Sequence, residues 1–475
     1  MNKFKLFIEN FLVYGLGGII SKAVPYLMLP IITRLMPNSY FYGLSDLSNT
    51  AVQFGTALAG MGMYDAVFRL FFEKDNEKYQ KQVCSTALSF TFGTSFIIFV
   101  LMLLFRKPLG TFLFSDEKYF YILYLTAMSI LIGGTNSIMQ VPTRTQNQRR
   151  TFIVMNTISG ILSYAIAIPL LLKGFYVIAL PLSAVISALT IEVIFWILNR
   201  EWFDFRLFDK SILKQLLFIG LPLLPNFLIY WIFNSSDRLM IGKLIGNSFT
   251  GVYSVGARIA SVSQLIYTAF AGGWQYFAFS TMKEDGQVKS NSLVFEYLGV
   301  ISFAAGILMC VFAHLIFKIL FTGEYEAGYI VVPYLFLAPL MQMLYQVACN
   351  QFIVIKKTWP NAFILSVGAI CNVLLNLTLI PIWGIEGAAF STLIGYVISD
   401  IIVVIWLLKI KLMVISRRFI AVSLLMIGYF ILWRLVLISN LFLSLFAGCI
   451  VIGIYIWLFK SDLQKILKKK ESVEA

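Results

Sequence analysis

Long apolar runs, separated by short polar or charged stretches, recur along the whole chain of 475 residues. Such a run of about 20 residues spans a hydrocarbon core of about 30 Å, because a helix rises about 1.5 Å per residue. Only 13% of the residues are charged, whereas soluble domains have about a quarter. Membrane-spanning strands would instead alternate over about 10 residues. The sequence therefore predicts an all-α polytopic membrane protein.

We predict about fourteen transmembrane helices, and an even number places both termini on one side. Of the 37 lysines and arginines, 26 fall on the side of the termini and nine on the opposite side. Because positive residues favour the cytoplasm, we predict a multi-pass protein of the cell membrane (plasma or inner) with both termini cytoplasmic. The net charge of +14 is then mainly a topology signal and does not indicate a nucleic-acid partner. The predicted segments are 11–33, 43–67, 84–105, 119–141, 151–172, 174–198, 217–236, 252–276, 293–316, 328–353, 359–382, 384–408, 419–437 and 441–459.

Short sequence motifs recur in the same order and at nearly constant spacing. The word RLM at 34–36 recurs at 238–240, and Gly43 corresponds to Gly251. LFSDE, which begins at Leu113, matches LFTGE, which begins at Leu320. This order indicates two copies of a six-helix unit in one orientation, with a central cavity between two pseudo-symmetric lobes. The predicted domains are an N-terminal lobe at 1–200, a C-terminal lobe at 201–410, and two additional helices with a basic cytoplasmic tail at 411–475.

Basic residues inside or at the ends of the apolar segments are candidates for substrate binding, because a buried charge costs about 2.5–3.5 kcal/mol or more. Lys22 lies near the middle of the first segment and Arg258 lies within the eighth. Each is a cavity candidate, and the alternative for Lys22 is a buried pair with a carboxylate. Arg34, and Asp237 with Arg238, lie at matching outer ends of helices, where they either mark the cavity mouth or only end a helix.

Glu192 and Asp400 are the deepest acids and fall in corresponding helices of the two copies. They are candidates for binding a coupling ion, and the alternative is a hydrogen bond to a neighbouring helix. Asp46 and Glu296 lie close to predicted helix ends, so we expect them at the membrane interface. His314 is the only histidine, which excludes a histidine-based zinc site and a Ser-His-Asp arrangement. We predict no catalytic residues, no metal site and no cofactor.

Three stretches carry a family resemblance. They are PYLMLPIITRLMPNSYFYGLSDL, GLPLLPNFLIYWIFNSSDRLMIGKLIGNSFTGVYSVGARIA and NVLLNLTLIPIWGIEGAAFSTLIGYV. Through them the chain resembles, over nearly its whole length, the polysaccharide-type flippases of the multidrug/oligosaccharidyl-lipid/polysaccharide exporter superfamily. The resemblance implies alternating access and an undecaprenyl-diphosphate-linked oligosaccharide as cargo, moved from the cytoplasmic to the outer leaflet for cell-surface polysaccharide biosynthesis. It also implies functional basic residues in the first and eighth helices, where Lys22 and Arg258 are the matching positions.

The expected partners are the lipid-linked oligosaccharide, membrane lipids, a coupling cation (H⁺ or Na⁺) and polysaccharide-assembly proteins. Two alternatives stay open. A cation-coupled multidrug antiporter of the same superfamily would use Glu192 and Asp400. A membrane-embedded glycan polymerase would usually need a large outer catalytic loop, and the predicted outer loops are short. The glycan itself, whether of capsule, O-antigen or teichoic acid, leaves no signature in the sequence.

Overall fold

The computed structural model describes residues 24–116, 119–282, 286–462 and 464. Within these ranges the chain is largely α-helical and contains no β-strand. The helices up to residue 199 are α1 (Val24–Leu35), α2 (Ser39–Gly60), α3 (Met63–Phe71), α4 (Glu77–Leu104), α5 (Arg106–Phe114), α6 (Ile122–Met139), α7 (Val141–Thr145), α8 (Arg149–Leu172) and α9 (Ala179–Asn199). The later helices are α10 (Lys210–Gly220), α11 (Leu224–Trp231), α12 (Asp237–Leu244), α13 (Asn247–Ala260), α14 (Val262–Ser280), α15 (Gln287–Leu320), α16 (Val332–Val354), α17 (Trp359–Lys409), α18 (Arg417–Leu432) and α19 (Leu441–Leu458). The shorter turns are 3-10 helices at Arg200–Trp202, Phe205–Leu207, Leu221–Leu223 and Gly323–Val331, and π-helices at Ile232–Ser236 and Trp433–Leu437.

Ten helical stretches among the described residues are long and apolar enough to cross a membrane. They are Glu77–Leu104, Ile122–Thr145, Arg149–Leu172, Ala179–Trp202, Lys210–Leu244, Gln287–Leu320, Gly323–Val354, Trp359–Lys409, Arg417–Leu437 and Leu441–Leu458. Large apolar side chains on these stretches face outward, as Phe218 and Phe442 do. Helices suit such surroundings because they satisfy their backbone polar groups internally. The predicted fold class, an all-α polytopic membrane protein, is confirmed, while the number fourteen stays a prediction.

The first of two compact units contains the residues up to Ser254 together with Gly323–Tyr325. In it α6 packs against α2, α4 and α9, and α8 packs against α9. One buried apolar cluster joins α3, α4 and α10, and a second joins α2, α5 and α6. Helices α10 to α12 therefore pack with the helices that precede them. The predicted six-helix lobes describe a sequence repeat, and their boundaries at 200 and 410 stay a prediction.

The second compact unit contains Val255–Thr322 and the chain from Glu326 onward. Helix α16 is largely buried and packs against α14, α15 and α17. Helix α17 bends sharply at Gly384, where φ is +60°, a conformation that favours glycine because it has no Cβ. Helices α18 and α19 pack on α15.

Candidate functional site

Asp237 and Arg238 begin α12 directly after the π-helical turn Ile232–Ser236. The span that leads to them is already irregular, because Pro222 and Pro225 cannot donate backbone hydrogen bonds and a 3-10 turn precedes α11. Single π-helical turns inside a helix frequently occur at functional sites. The irregular seventh predicted span therefore sets the position of the two charged residues.

Arg238 forms an ion pair with Asp46 of α2. Its Nε atom lies 2.6 Å from Asp46 Oδ2, and both side chains are largely buried, with 19% and 17% exposed. Ser254 of α13 donates its hydroxyl to the same oxygen at 2.6 Å. Arg238 also donates to the backbone carbonyl oxygen of Asn234. The charge of Arg238 is thus balanced by Asp46, and one carboxylate connects α2, α12 and α13.

Asp237 is buried and accepts a hydrogen bond of 2.6 Å from the hydroxyl of Tyr253. Thr250 donates its hydroxyl to the carbonyl oxygen of Arg238 at 3.4 Å. These two contacts fix α12 on α13, so the backbone that carries Arg238 is held in place from the same side as Ser254.

Gly43 and Gly251, which the repeat makes equivalent, lie against each other. A Cβ atom on Gly43 would overlap the carbonyl oxygen of Asn247, and one on Gly251 would overlap the carbonyl oxygen of Ser39. Asp46 and Ser254 have the same sequence separation as the two glycines. Equivalent residues of the two copies therefore contact each other. We call the contact between residues 39–46 and residues 247–254 the seam.

Two further segments contact the ends of the seam in a reciprocal way. Glu324 accepts hydrogen bonds from the backbone amide of Ser39 at 3.2 Å and from its hydroxyl at 2.5 Å, which caps the start of α2. At the start of α13, Asn247 donates its side-chain amide to the carbonyl oxygen of Phe114 at 2.6 Å. Phe114 and Glu324 belong to the matching words LFSDE and LFTGE. The LFSDE motif of the first copy therefore contacts α13 of the second copy, and the LFTGE motif of the second copy contacts α2 of the first copy.

The remaining basic candidates are Lys22, Arg34 and Arg258. Lys22 falls outside the described residues. Arg34 is exposed near the end of α1. Arg258 is exposed one helical turn beyond Ser254 on α13, and its carbonyl oxygen accepts a hydrogen bond of 2.7 Å from the hydroxyl of Ser261. The structure thus brings Asp237 and Arg238 to the seam and leaves Arg34 and Arg258 with exposed side chains.

The two deep acids are buried, each within its own unit. In the first unit Glu192 of α9 accepts a hydrogen bond from the hydroxyl of Thr135 of α6. In the second unit Asp400 is 8% exposed. Among the described residues, neither of its carboxylate oxygens has a hydrogen-bond partner. Glu192 thus forms the hydrogen bond to a neighbouring helix that was the alternative to ion binding. Asp400 is a buried acid whose carboxylate oxygens accept no hydrogen bond from the described residues.

Two features of the structure were not predicted. Asp46 was expected at the interface, yet it pairs with a residue far along the chain. The register of the repeat was the signal that could have found it, because aligning Gly43 with Gly251 also aligns Asp46 with Ser254. The second feature is a bidentate ion pair in the second unit, which we call the fork. Arg434 donates to the carboxylate of Glu386 from Nε at 2.5 Å and from Nη2 at 2.8 Å. No local pattern marks that pair.

Sequence comparison finds two relatives that match about half of the chain. An uncharacterized membrane protein of Methanocaldococcus jannaschii is 30% identical over 270 residues, which is 53% of this chain and 51% of the relative. The succinoglycan biosynthesis transport protein ExoT of Rhizobium meliloti is 23% identical over 273 residues, which is 57% of this chain and 53% of the relative. The chain therefore spans about half the length of the curated relatives it matches.

Solved structures match more of the chain. The structure of the lipid II flippase MurJ in an inward closed conformation has a TM-score of 0.73 and 15% identity, and the match covers 95% of this chain and 99% of MurJ. An inward-facing multidrug resistance transporter of the MATE family, of the MOP superfamily, has a TM-score of 0.62 and 15% identity, with 83% and 98% covered. At this identity the likeness is one of fold, and the fold is that of membrane transporters.

The sequence profile of a family described as polysaccharide biosynthesis protein matches residues 31–329. That range is more than half of the chain and contains the whole seam together with Phe114 and Glu324, which contact its ends. The predicted resemblance to the polysaccharide-type flippases of this superfamily is confirmed. The chain belongs to the polysaccharide biosynthesis protein family.

Proposed function

We propose that this membrane transporter is a flippase for an undecaprenyl-diphosphate-linked oligosaccharide. It would move the lipid from the cytoplasmic to the outer leaflet for cell-surface polysaccharide biosynthesis, by alternating access. The observation that carries the proposal is the combination, in one chain, of membership in a polysaccharide biosynthesis family and the fold of a lipid II flippase. A polar glycan joined to a diphosphate cannot cross hydrocarbon unaided, so a transporter must shield both groups.

Recognition of the diphosphate needs cations, because guanidinium and ammonium groups form strong charge-assisted hydrogen bonds with phosphate oxygens. We assign that contact to Arg258 and Lys22, with Arg34 as a further candidate. The exposed side chains of Arg34 and Arg258 support this role. Arg238 is already paired with Asp46, so we assign Asp237 and Arg238 to the mouth of the predicted cavity.

We further propose Glu192 and Asp400, each within its own unit, as residues that bind a coupling cation, H⁺ or Na⁺. The support comes from Asp400, since an ionised carboxylate buried without a partner costs several kcal/mol or more. A bound cation or a proton would remove that cost in one half of the transport cycle. Polysaccharide-assembly proteins are the proposed protein partners, and both termini are proposed to be cytoplasmic.

The decisive test is mass spectrometry of lipids from cells depleted of the protein, combined with a membrane-impermeant probe of the outer leaflet. We expect a polyprenyl-diphosphate oligosaccharide to accumulate and to stay inaccessible from outside. Re-expression of the unaltered protein should clear it. Absence of any such lipid would contradict the proposal.

A second function, a cation-coupled multidrug antiporter, is favoured by two observations. The fold also matches a MATE family transporter, and the second unit holds an unsatisfied buried acid of the kind a cationic drug would need. In that case the depleted cells should accumulate cationic dyes and become sensitive to them, while their lipid-linked sugars stay normal.

A further inference from the structure

We infer that four exposed carboxamides of the first unit bind the sugar rings of the cargo through hydrogen bonds. They are Asn49 and Gln53 of α2, Asn226 of α11, and Asn234 of the π-helical turn that follows α11. We call these four residues the amide stripe. The inference rests on the proposed function, which supplies the glycan, and it assigns the glycan to residues other than the cations that we assign to the diphosphate.

The amide stripe follows one side of each of two helical spans. Asn49 and Gln53 are four residues apart on α2, so their side chains share a face of that helix. On the second span Asn234 donates its amide to the backbone carbonyl oxygen of Tyr230 at 2.7 Å. Tyr230 is in turn four residues beyond Asn226. The two asparagines therefore lie along the same side of the second span, about two turns apart.

Direct contacts hold the two spans side by side. Nε1 of Trp231 donates to the carbonyl oxygen of Thr50 at 3.3 Å, and the rings of Trp231 and Phe54 lie 4.7 Å apart. The hydroxyl of Ser235 donates to Oε1 of Gln53 at 3.4 Å. All of these residues belong to the first unit. The four amides are therefore carried on one packed pair of helical spans, which fixes their spacing.

The surroundings of the amide stripe are the first argument for a polar ligand. Asn226 and Asn234 lie within Lys210–Leu244, a stretch apolar enough to cross a membrane, and at least about 15 Å from either of its ends by helical rise. An exposed amide that faced lipid chains would lose its hydrogen bonds to water and gain none, which is unfavourable. The exposed positions of α4 carry apolar side chains instead, such as Phe92. The amide stripe is therefore suited to face water or a polar ligand.

The chemistry of the amides is the second argument. A carboxamide offers two N–H donors and a carbonyl acceptor, and each sugar hydroxyl can likewise donate and accept. Their contacts with Ser235 and Tyr230 use only part of this capacity in Gln53 and Asn234. A diphosphate only accepts hydrogen bonds at neutral pH and is bound more strongly by cations. The amide stripe therefore fits uncharged, polyhydroxylated rings.

The test compares lipids with and without a sugar. The probes are undecaprenyl diphosphate alone and the same lipid carrying one N-acetylglucosamine or one galactose, and their affinities are measured for the purified protein in nanodiscs. We expect a sugar-bearing lipid to bind more tightly than the bare lipid. Asn49→Leu and Asn226→Leu should each lower its affinity by about 2- to 10-fold, the effect of one lost hydrogen bond. Neither variant should change the affinity for undecaprenyl diphosphate alone.

Two further variants make the test specific. Asn49→Gln keeps a carboxamide and should retain most of the gain in affinity that the sugar provides. Asn156→Leu removes an exposed amide of α8 that donates to the carbonyl oxygen of Phe152 at 2.8 Å. That variant is the matched control, and it should change the affinity for none of the three lipids.

A second measurement needs no lipid probe and covers the case in which a leucine variant does not fold. Asn49→Cys and Asn226→Cys, made after replacement of the five native cysteines, should react with a water-soluble, membrane-impermeant thiosulfonate. Phe92→Cys, at an exposed apolar position of α4, should react much more slowly. Equal rates at all three positions would contradict a polar environment for the amide stripe.

The outcomes separate the inference from the proposed function. Equal affinity for all three lipids, or a sugar-dependent gain that survives both leucine variants, would overturn the inference and leave the flippase in place. A loss of the same size for the bare lipid would overturn it as well, because the amides would then not act on the sugar. If the unaltered protein bound none of the three lipids, the flippase proposal would fail and the inference with it.

Discussion

Gly43 of α2 and Gly251 of α13 meet backbone to backbone, and neither leaves room for a Cβ atom on the other. Alanine at either position must push the two helices apart. Overpacking of this kind costs about 1–3 kcal/mol, so we expect Gly43→Ala and Gly251→Ala to lower the melting temperature of the purified protein and to part the seam. Thermal unfolding of the purified variants in detergent would measure the effect.

Gly93→Ala is the matched control for that pair, because a Cβ atom on Gly93 of α4 would meet no atom within 4 Å. Replacing a helical glycine by alanine at an open position gains about 0.5–1 kcal/mol. The control should therefore be neutral or stabilising. Equal melting temperatures for Gly43→Ala and Gly93→Ala would contradict the close approach.

Arg258→Ala should reduce transport at least about 10-fold while the protein still inserts, because a charge-assisted contact with phosphate contributes about 1.5–3 kcal/mol. Lys22→Ala should behave alike. The measurement is the amount of inaccessible lipid-linked oligosaccharide in cells that carry each variant. Lys173→Ala, an exposed basic residue at the end of α8, provides the control. Normal transport by both Arg258→Ala and Lys22→Ala would show that these two charges do not recognise the diphosphate.

Asp400→Asn should abolish the response of transport to an imposed cation gradient, since an amide neither binds a proton at neutral pH nor offers a negative charge. Reconstituted protein would be measured with a proton gradient alone and with a sodium gradient alone. Glu192→Gln, tested in the same way, asks whether the acid that already has a hydrogen-bond partner contributes. A response to either gradient that survives Asp400→Asn undiminished would exclude that residue from coupling.

The fork of Arg434 with Glu386 should stabilise the second unit by about 1 kcal/mol, the upper end for pairs with solvent access, because Arg434 is 46% exposed. Arg434→Ala should therefore measurably lower the melting temperature of the purified protein. Lys81→Ala, in the exposed pair with Glu77, should lower it by less. A larger effect from Lys81→Ala would show that the fork contributes little.

The sequence was sufficient for the fold class, because hydropathy runs of helical length reflect local chemistry. It also aligned Gly43 with Gly251, yet it gave no sign that equivalent residues would touch. Asp46 shows why. Its position near a predicted helix end indicated an interfacial acid, whereas its partner Arg238 lies 192 residues further along the chain. A partner at that distance leaves no periodicity, so only the folded chain reveals it.

The seam has the form of an isologous interface, in which residue i meets residue j and j meets i, as in a two-fold symmetric dimer. In a dimer of identical halves, Asp46 would face a second aspartate, and two carboxylates at one contact repel each other. Here the equivalent position carries Ser254, which donates a hydrogen bond to the carboxylate instead. Joining both halves in one polypeptide frees the two positions to differ. The single chain can therefore keep the close fit of a symmetric dimer while carrying a carboxylate at only one of the two equivalent positions.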